Sequence, residues 1–244
     1  MGLSPVAAPC AEVAAIVVGG GGGERLGGVS KPDLTLGGVR LIDRVCAALQ
    51  EACGAGCVAV VPPAVRVSDG VRRTLEDPPS GGPLAGIDAG LRALSVGDDV
   101  LVVIVSVDAP GVGAFLHALL EPALGEGVEG RIVRGGDPEP FDQYLMGVYR
   151  AGALRRVLDE AVASLGSVRG VGVRRVLRAL VLERVDVGAD VCRDVDTPED
   201  LAWWEARFVS ARSGKAANGG DTPARCEGMH PPGGASCSRI ESQS

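Results

Sequence analysis

Residues 17–32 read VVGGGGGERLGGVSKP. An apolar run enters five consecutive glycines, Gly19, Gly20, Gly21, Gly22 and Gly23, and two cations follow, Arg25 and Lys31. Glycines placed after a strand let the backbone approach a ligand and aim several N–H groups at it. Two cations just beyond the loop imply that the ligand is a polyphosphate. On glycine content alone, a flexible turn with solvated charges is the alternative. A Walker A loop needs G-x-x-x-x-G-K-[ST], but Lys31 follows Ser30 and precedes Pro32. A Rossmann fingerprint needs G-x-G-x-x-G, and no register of the cluster supplies it.

Outward from the loop, strand and helix patterns alternate. Upstream, Glu12 to Val18 reads as a buried strand. Downstream, Ile42, Val45, Cys46 and Leu49 recur at helical spacing, and Val58 to Pro62 is a second strand. Leu84, Ile87, Leu91 and Leu94 mark another helix. The stretch DVLVVIVSV, ending at Val107, is the most strand-like in the chain. A helix is expected over Phe115 to Leu124, strands over Gly130 to Gly135 and Gln143 to Tyr149, and helices over Ala153 to Leu165 and Val173 to Leu180. LVLERVDV gives a late strand, and a last helix runs from Pro198 to about Phe208. Thr197 can cap that helix, with Pro198 at its first position and Asp200 three residues after the cap. This alternation predicts an α/β fold, a Rossmann-like three-layer α/β/α arrangement with a mainly parallel sheet.

A chain of 244 residues can bury one substantial core. Hydrophobic residues make up 46% and aromatics only 3%, so Val, Leu, Ile and Ala must build that core. The expected organisation is a loose leader over 1–11, one domain over 12–209, and a disordered tail over 210–244. The tail is rich in Ser, Gly, Ala and Pro and nearly without large hydrophobes. The net charge of −7 argues against a general nucleic-acid binder. No apolar run approaches the ~20 residues of a membrane helix, and no signal peptide is legible, so a cytoplasmic location is expected. The seven cysteines, Cys10, Cys46, Cys53, Cys57, Cys192, Cys226 and Cys237, show neither C-x-x-C nor a disulfide framework.

Two acidic segments complete the chemistry. Asp108, in SVDAP, follows the strongest strand, where ligands of open α/β sheets bind. A carboxylate there, near a phosphate loop, is placed to hold Mg²⁺ through oxygen. An isolated Asp can equally cap the next turn. In DVDTPEDL, Asp194 and Asp196 alternate along an extended stretch, so they should point to opposite sides, with helix capping a sufficient explanation of the motif's shape.

Taken in order, these segments resemble one family. The glycine-rich stretch, R-L-G-G-x-S-K and the following L-x-L-G-G are similar to the signature of molybdenum cofactor guanylyltransferases of the MobA type and their nucleotidyltransferase relatives. EDPPSGGPLAGI at Glu76 to Ile87, SVDAP, QYLMGVYR at Gln143 to Arg150, and DVDTPEDL resemble later family segments. The likeness spans about Val13 to Phe208. Val18-Gly19 stand where the family has Leu-Ala, and Ser30 stands where it has Asp before the lysine.

The resemblance implies transfer of GMP from GTP to the terminal phosphate of molybdopterin, with pyrophosphate leaving. It implies that Val18 and Gly19 to Gly23 hold the triphosphate with Lys31. Arg25 and Lys31 would offset charge in the transition state, and Asp108 would hold Mg²⁺. Leu84, Ala85 and Gly86 would border the base pocket, with Asp77 as a hydrogen-bond acceptor. Asp196 is a second-rank candidate for the metal. Partners would be GTP and molybdopterin, with transient contact to cofactor-assembly or acceptor enzymes. Cytidylyl transfer to molybdopterin, nucleotidyl transfer to phospholactate, a sugar phosphate or methylerythritol phosphate, and a non-catalytic nucleotide-binding regulator or degenerate partner subunit are the other readings.

Overall fold

A computed structural model describes residues 12–20 and 30–217, with side chains as far as Phe208. The leader, residues 21–29 with Gly21, Gly22, Gly23 and Arg25, and residues 218–244 lie outside the described residues.

The chain opens with β1 (Val13–Val18). A hairpin of β2 (Thr35–Leu36) and β3 (Val39–Arg40) leads into α1 (Leu41–Ala52). β4 (Cys57–Val60), β5 (Val71–Thr74), α2 (Pro83–Leu94), β6 (Leu101–Ser106) and α3 (Val112–Leu120) follow. The second half contains β7 (Gly130–Gly135), β8 (Phe141–Arg150), α4 (Ala151–Leu165), α5 (Val173–Leu177), β9 (Leu182–Asp186) and α6 (Pro198–Ala217).

Seven strands form one sheet in the order β5-β4-β1-β6-β8-β7-β9. All run parallel except β8, which is antiparallel to both neighbours. Alternate residues of β1 explain why its sequence is apolar throughout. Ala15 and Val17 pack into a cluster with α1, α3 and Trp204 of α6, while Ala14, Ile16 and Val18 pack into a cluster with α2, α4 and α5. A strand covered on both faces has no polar side to show. The mainly parallel three-layer expectation is therefore met.

The differences have local causes. β5 escapes the sequence pattern because VRRT is an edge strand whose Arg72 and Arg73 face water. The β2–β3 hairpin turns on Gly37 and Gly38, at φ 61° and 76°, but each strand is too short to show a period. The helix expected to reach Leu124 ends at Leu120, because Pro122 cannot continue the ladder. α5 is shorter than expected, and its last residues form tight turns, with Leu180 N–H donating to the Leu177 carbonyl at 3.1 Å. The boundary expected at residue 209 is overstepped: α6 continues to Ala217, so the first part of the expected disordered tail is helical.

β1 and β6 are neighbours, but the chain leaves β1 through α1 on one face and enters β6 from α2 on the other. Such a reversal opens a crevice at the carboxyl ends of the strands. α2 closes against β1 because it carries Gly90, where a Cβ would lie 2.7 Å from Ile16 Cγ2.

Candidate active site

A cleft of about 380 Å³ opens at the ends of β1 and β6, and Val18, Gly19, Gly20, Lys31, Ser106 and Asp108 form its base. Gly19 and Gly20 do different work. The Gly19 N–H is spent in the sheet, donating to the Val60 carbonyl at 3.0 Å, and a Cβ there would lie 2.8 Å from Val61 Cγ1. Gly19 is thus a packing glycine in the floor of the cleft, with its N–H already bonded within the sheet. Gly20 has open space on the side where a Cβ would stand.

Lys31 starts a single 3₁₀ turn over Lys31–Asp33, closed by the Asp33 N–H donating to the Ser30 carbonyl at 2.9 Å and anchored by buried Pro32. That anchor sends the lysine across the cleft. Its Nζ donates to Asp108 Oδ2 at 2.7 Å and also to Asp196 Oδ1. Ser106 Oγ donates to the other oxygen of Asp108. Burial works against the lysine ammonium, but the bonds to Asp108 and Asp196 outweigh it and hold its pKa above the ordinary value.

The third carboxylate comes from the end of the chain. Val195 N–H donates to the Asp108 carbonyl at 2.9 Å, which lays 194–196 beside the tip of β6. Asp194 lines the cleft, and its Oδ1 is buried without a hydrogen-bond partner among the described residues. Burial, reinforced by the charges of Asp108 and Asp196, pushes its pKa up to about 7. Alternation along the strand-like segment thus separates the two carboxylates without sending either away: Asp194 turns inward, and Asp196, at 46% side-chain exposure, reaches Lys31 from the rim. Downstream the expected capping box is present. Asp200 N–H donates to Thr197 Oγ1 at 3.2 Å, and Thr197 N–H donates to Asp200 Oδ2 at 2.9 Å.

Among the described residues no three acidic, histidine or cysteine side chains close around one point as a ready-made cage. A cation held by Asp108 with Asp194 or Asp196 would take its remaining oxygens from substrate and water, which is how Mg²⁺ is usually bound. The partnerless Asp194 oxygen and the all-oxygen donor set fit such an ion.

The remaining walls differ from expectation. Leu84 is fully buried in the core, and Gly86 packs against Val18 and Val60. Asp77 and Ala85 line a separate groove of about 630 Å³ on the outer side of α2. None of these four reaches the cleft; Pro83 does. The cleft is further lined by Gln143, Tyr144, Val173 and Arg174. The motif QYLMGVYR signalled the first two, but nothing distinguished Arg174 from the other arginines of its segment. The expected cysteine chemistry is unremarkable where described: Cys46, Cys53, Cys57 and Cys192 are buried free thiols, and Cys10, Cys226 and Cys237 lie outside the described residues. No helix among the described residues is long and apolar enough to cross a membrane.

A family model described as the MobA-like NTP transferase domain matches residues 15–185. No functionally curated protein matches the chain in sequence. Among solved structures, a nucleotidyl transferase from Methanothermobacter is 23% identical, with 82% of this chain and 99% of that one covered at a TM-score of 0.63. The 2-C-methyl-D-erythritol 4-phosphate cytidylyltransferase of Thermus thermophilus is 19% identical, covering 79% and 97% at 0.62. Molybdopterin-guanine dinucleotide biosynthesis protein A of Archaeoglobus fulgidus is 20% identical, covering 81% and 99% at 0.56. At these identities the likeness is one of fold.

Proposed function

We propose that this chain, which belongs to the MobA-like NTP transferase family, transfers GMP from GTP to the terminal phosphate of molybdopterin and releases pyrophosphate. The observation that supports this reading best is the meeting of Lys31 with Asp108 and Asp196 beside Gly20, at the topological switch point of the sheet. A cation and a set of carboxylates at one spot suit a polyphosphate that arrives with a divalent ion.

In this reading the triphosphate lies over Gly20 and the glycines that follow, and its charge draws Lys31 towards the phosphates. Asp108, with Asp194 or Asp196, would hold Mg²⁺, which when bound neutralises and aligns the phosphate oxygens. A phosphate oxygen of the acceptor forms a bond to the α-phosphorus of the nucleotide. The bond from that phosphorus to the bridging oxygen of the β-phosphate breaks, and pyrophosphate carries the electron pair away. Lys31 and Arg25 offset the charge that builds on the transferring and leaving groups, so catalysis is mainly positioning and electrostatics. Arg174 and Gln143, which line the same cleft, would meet the acceptor.

The base is read along the Val18 to Gly20 wall and Pro83. Guanine offers N1–H and N2 amino donors beside the O6 acceptor, and backbone groups at a glycine-rich wall suit that pattern. Another base would leave buried polar groups unpaired, at about 1–3 kcal/mol each. The test compares kcat/KM for GTP, CTP, ATP and UTP with molybdopterin as acceptor, read by pyrophosphate release. A clear preference for GTP is expected. CTP equal to or better than GTP overturns guanylyl transfer in favour of cytidylyl transfer.

A further inference from the structure

Behind the cleft, two surface loops are joined by donors from one and acceptors from the other. The first, 76–82, contains Pro78 and Pro79, which have no N–H, so this stretch presents carbonyls. Arg169 answers them: its Nη1 donates to the Pro78 carbonyl, and its Nη2 donates to the Pro79 carbonyl at 3.2 Å. The next residue, Gly170, donates its N–H to the Gly81 carbonyl at 2.8 Å. The Gly81 N–H is held from within its own loop by Glu76 Oε1 at 3.0 Å. Gly81 permits this approach because a Cβ there would lie 2.9 Å from Arg169 Nη1 and 2.7 Å from Ala85 Cβ.

The junction does not touch the cleft, since Arg169 lines the outer groove instead. Yet each loop runs directly into one wall of the cleft. The first ends at Gly82 and delivers Pro83, the start of α2. The second is rooted in the core by Val168, at 6% exposure, and delivers Val173 and Arg174, the start of α5. A planar fork holds two carbonyls one residue apart in a fixed geometry, which the flexible stem and rotating donors of a lysine do not impose.

We propose that Arg169 is a positioning residue that couples the nucleotide-side wall at Pro83 to the acceptor-side wall at Val173 and Arg174, so that nucleotide binding orders the acceptor side before the acceptor arrives. The coupling rests on the reading of the cleft as a nucleoside triphosphate site. Ordering passed between two walls appears as binding cooperativity, commonly about 5–150-fold.

The test is amide hydrogen exchange on the full chain with and without Mg²⁺·GTP or Mg²⁺·CTP. In the unaltered protein, nucleotide should slow exchange over 81–86 and also over 168–176. Arg169→Gln should fold, with a melting temperature within a few degrees, and keep the protection over 81–86 while losing at least about fivefold of it over 168–176. Arg169→Lys keeps the charge without the fork and should behave like the Gln variant. Unchanged protection over 168–176 in Arg169→Gln, or its full recovery in Arg169→Lys, overturns the coupling and leaves the nucleotide site standing. If neither nucleotide protects either segment of the unaltered protein, the cleft reading and the coupling fail together.

Discussion

Val195 donates its backbone N–H to the carbonyl of Asp108 across 2.9 Å, joining a residue near the end of the domain to the tip of its central strand. Because of that bond, Asp194 and Asp196 stand on either side of a fixed point beside Asp108. Three carboxylates and one ammonium are thereby gathered from three distant stretches of sequence.

Asp108→Asn should fold normally and lose turnover by about 100-fold or more, the scale of one lost transition-state contact. A neutral amide keeps the size of the side chain, but it is a poor ligand for a hard cation. Isothermal titration of Mn²⁺ with bound nucleotide should show weakened metal binding in parallel. Turnover like that of the unaltered protein at ordinary Mg²⁺ concentration removes Asp108 from the metal site.

Lys31→Ala should cost catalysis about 2.7–4 kcal/mol in transition-state binding. Its effect on folding should be smaller, about 1 kcal/mol, because the Asp196 partner is nearly half exposed and screened by water. Rate and thermal unfolding measured on the same preparation separate the two. A collapsed melting temperature with spared turnover would make Lys31 a structural residue.

Glu129 joins two elements far from the cleft. Its carboxylate accepts from Arg156 Nη2 at 2.6 Å and from the Val181 N–H at 2.9 Å. Burial opposes its charge, but these two donors prevail and hold its pKa below the ordinary 4.5. A depressed carboxylate pKa stabilises the fold above the unfolded value, and that contribution is lost as pH falls through the folded value. Glu129→Gln should therefore destabilise by about 1 kcal/mol at pH 7, with the difference shrinking below about pH 4. Urea unfolding at both pH values checks the sign; a larger difference in acid contradicts it.

Trp204 is 4% exposed, meets Trp203 edge-on at 5.0 Å, and donates Nε1–H to the Arg193 carbonyl at 3.0 Å. Trp204→Ala should cost about 3–5 kcal/mol. Trp204→Phe should cost less, since it keeps a ring and gives up one hydrogen bond. Thermal unfolding followed by circular dichroism orders the variants, and equal losses would mean that the indole N–H, not the ring, holds α6 in place.

Much of the fold was legible because its central strands advertise themselves. LVVIVS of β6 is apolar on both faces, since both faces are covered. The edge strand VRRT was not legible, because a strand with one neighbour can show arginines to water. In the cleft, the pattern pointed to Lys31 and Asp108, which the fold brings into contact. It overreached at Leu84 and Gly86, where helix α2 turns small and apolar residues into its own core. It missed the inward turn of Asp194, which depends on a hydrogen bond to a residue 87 positions earlier in the chain, counting from Val195 to Asp108 (195 − 108). Arg174 left no trace in the pattern because it stands 91 positions from Pro83 in the chain (174 − 83), a separation that no local period encodes.

The one reversed strand has a consequence for how such a protein can change. Because β8 runs against β6, with Met146 opposite Val105, its leading residues rather than its trailing ones stand at the mouth of the cleft. Its connection from β7, residues 136–140, therefore emerges on the substrate side of the sheet. Lengthening that connection would build new surface over the Gln143–Tyr144 side of the cleft without disturbing any parallel pairing. The fold thus carries a place where the mouth of the cleft can be rebuilt by insertion while the segments that carry Lys31 and Asp108 to it stay intact.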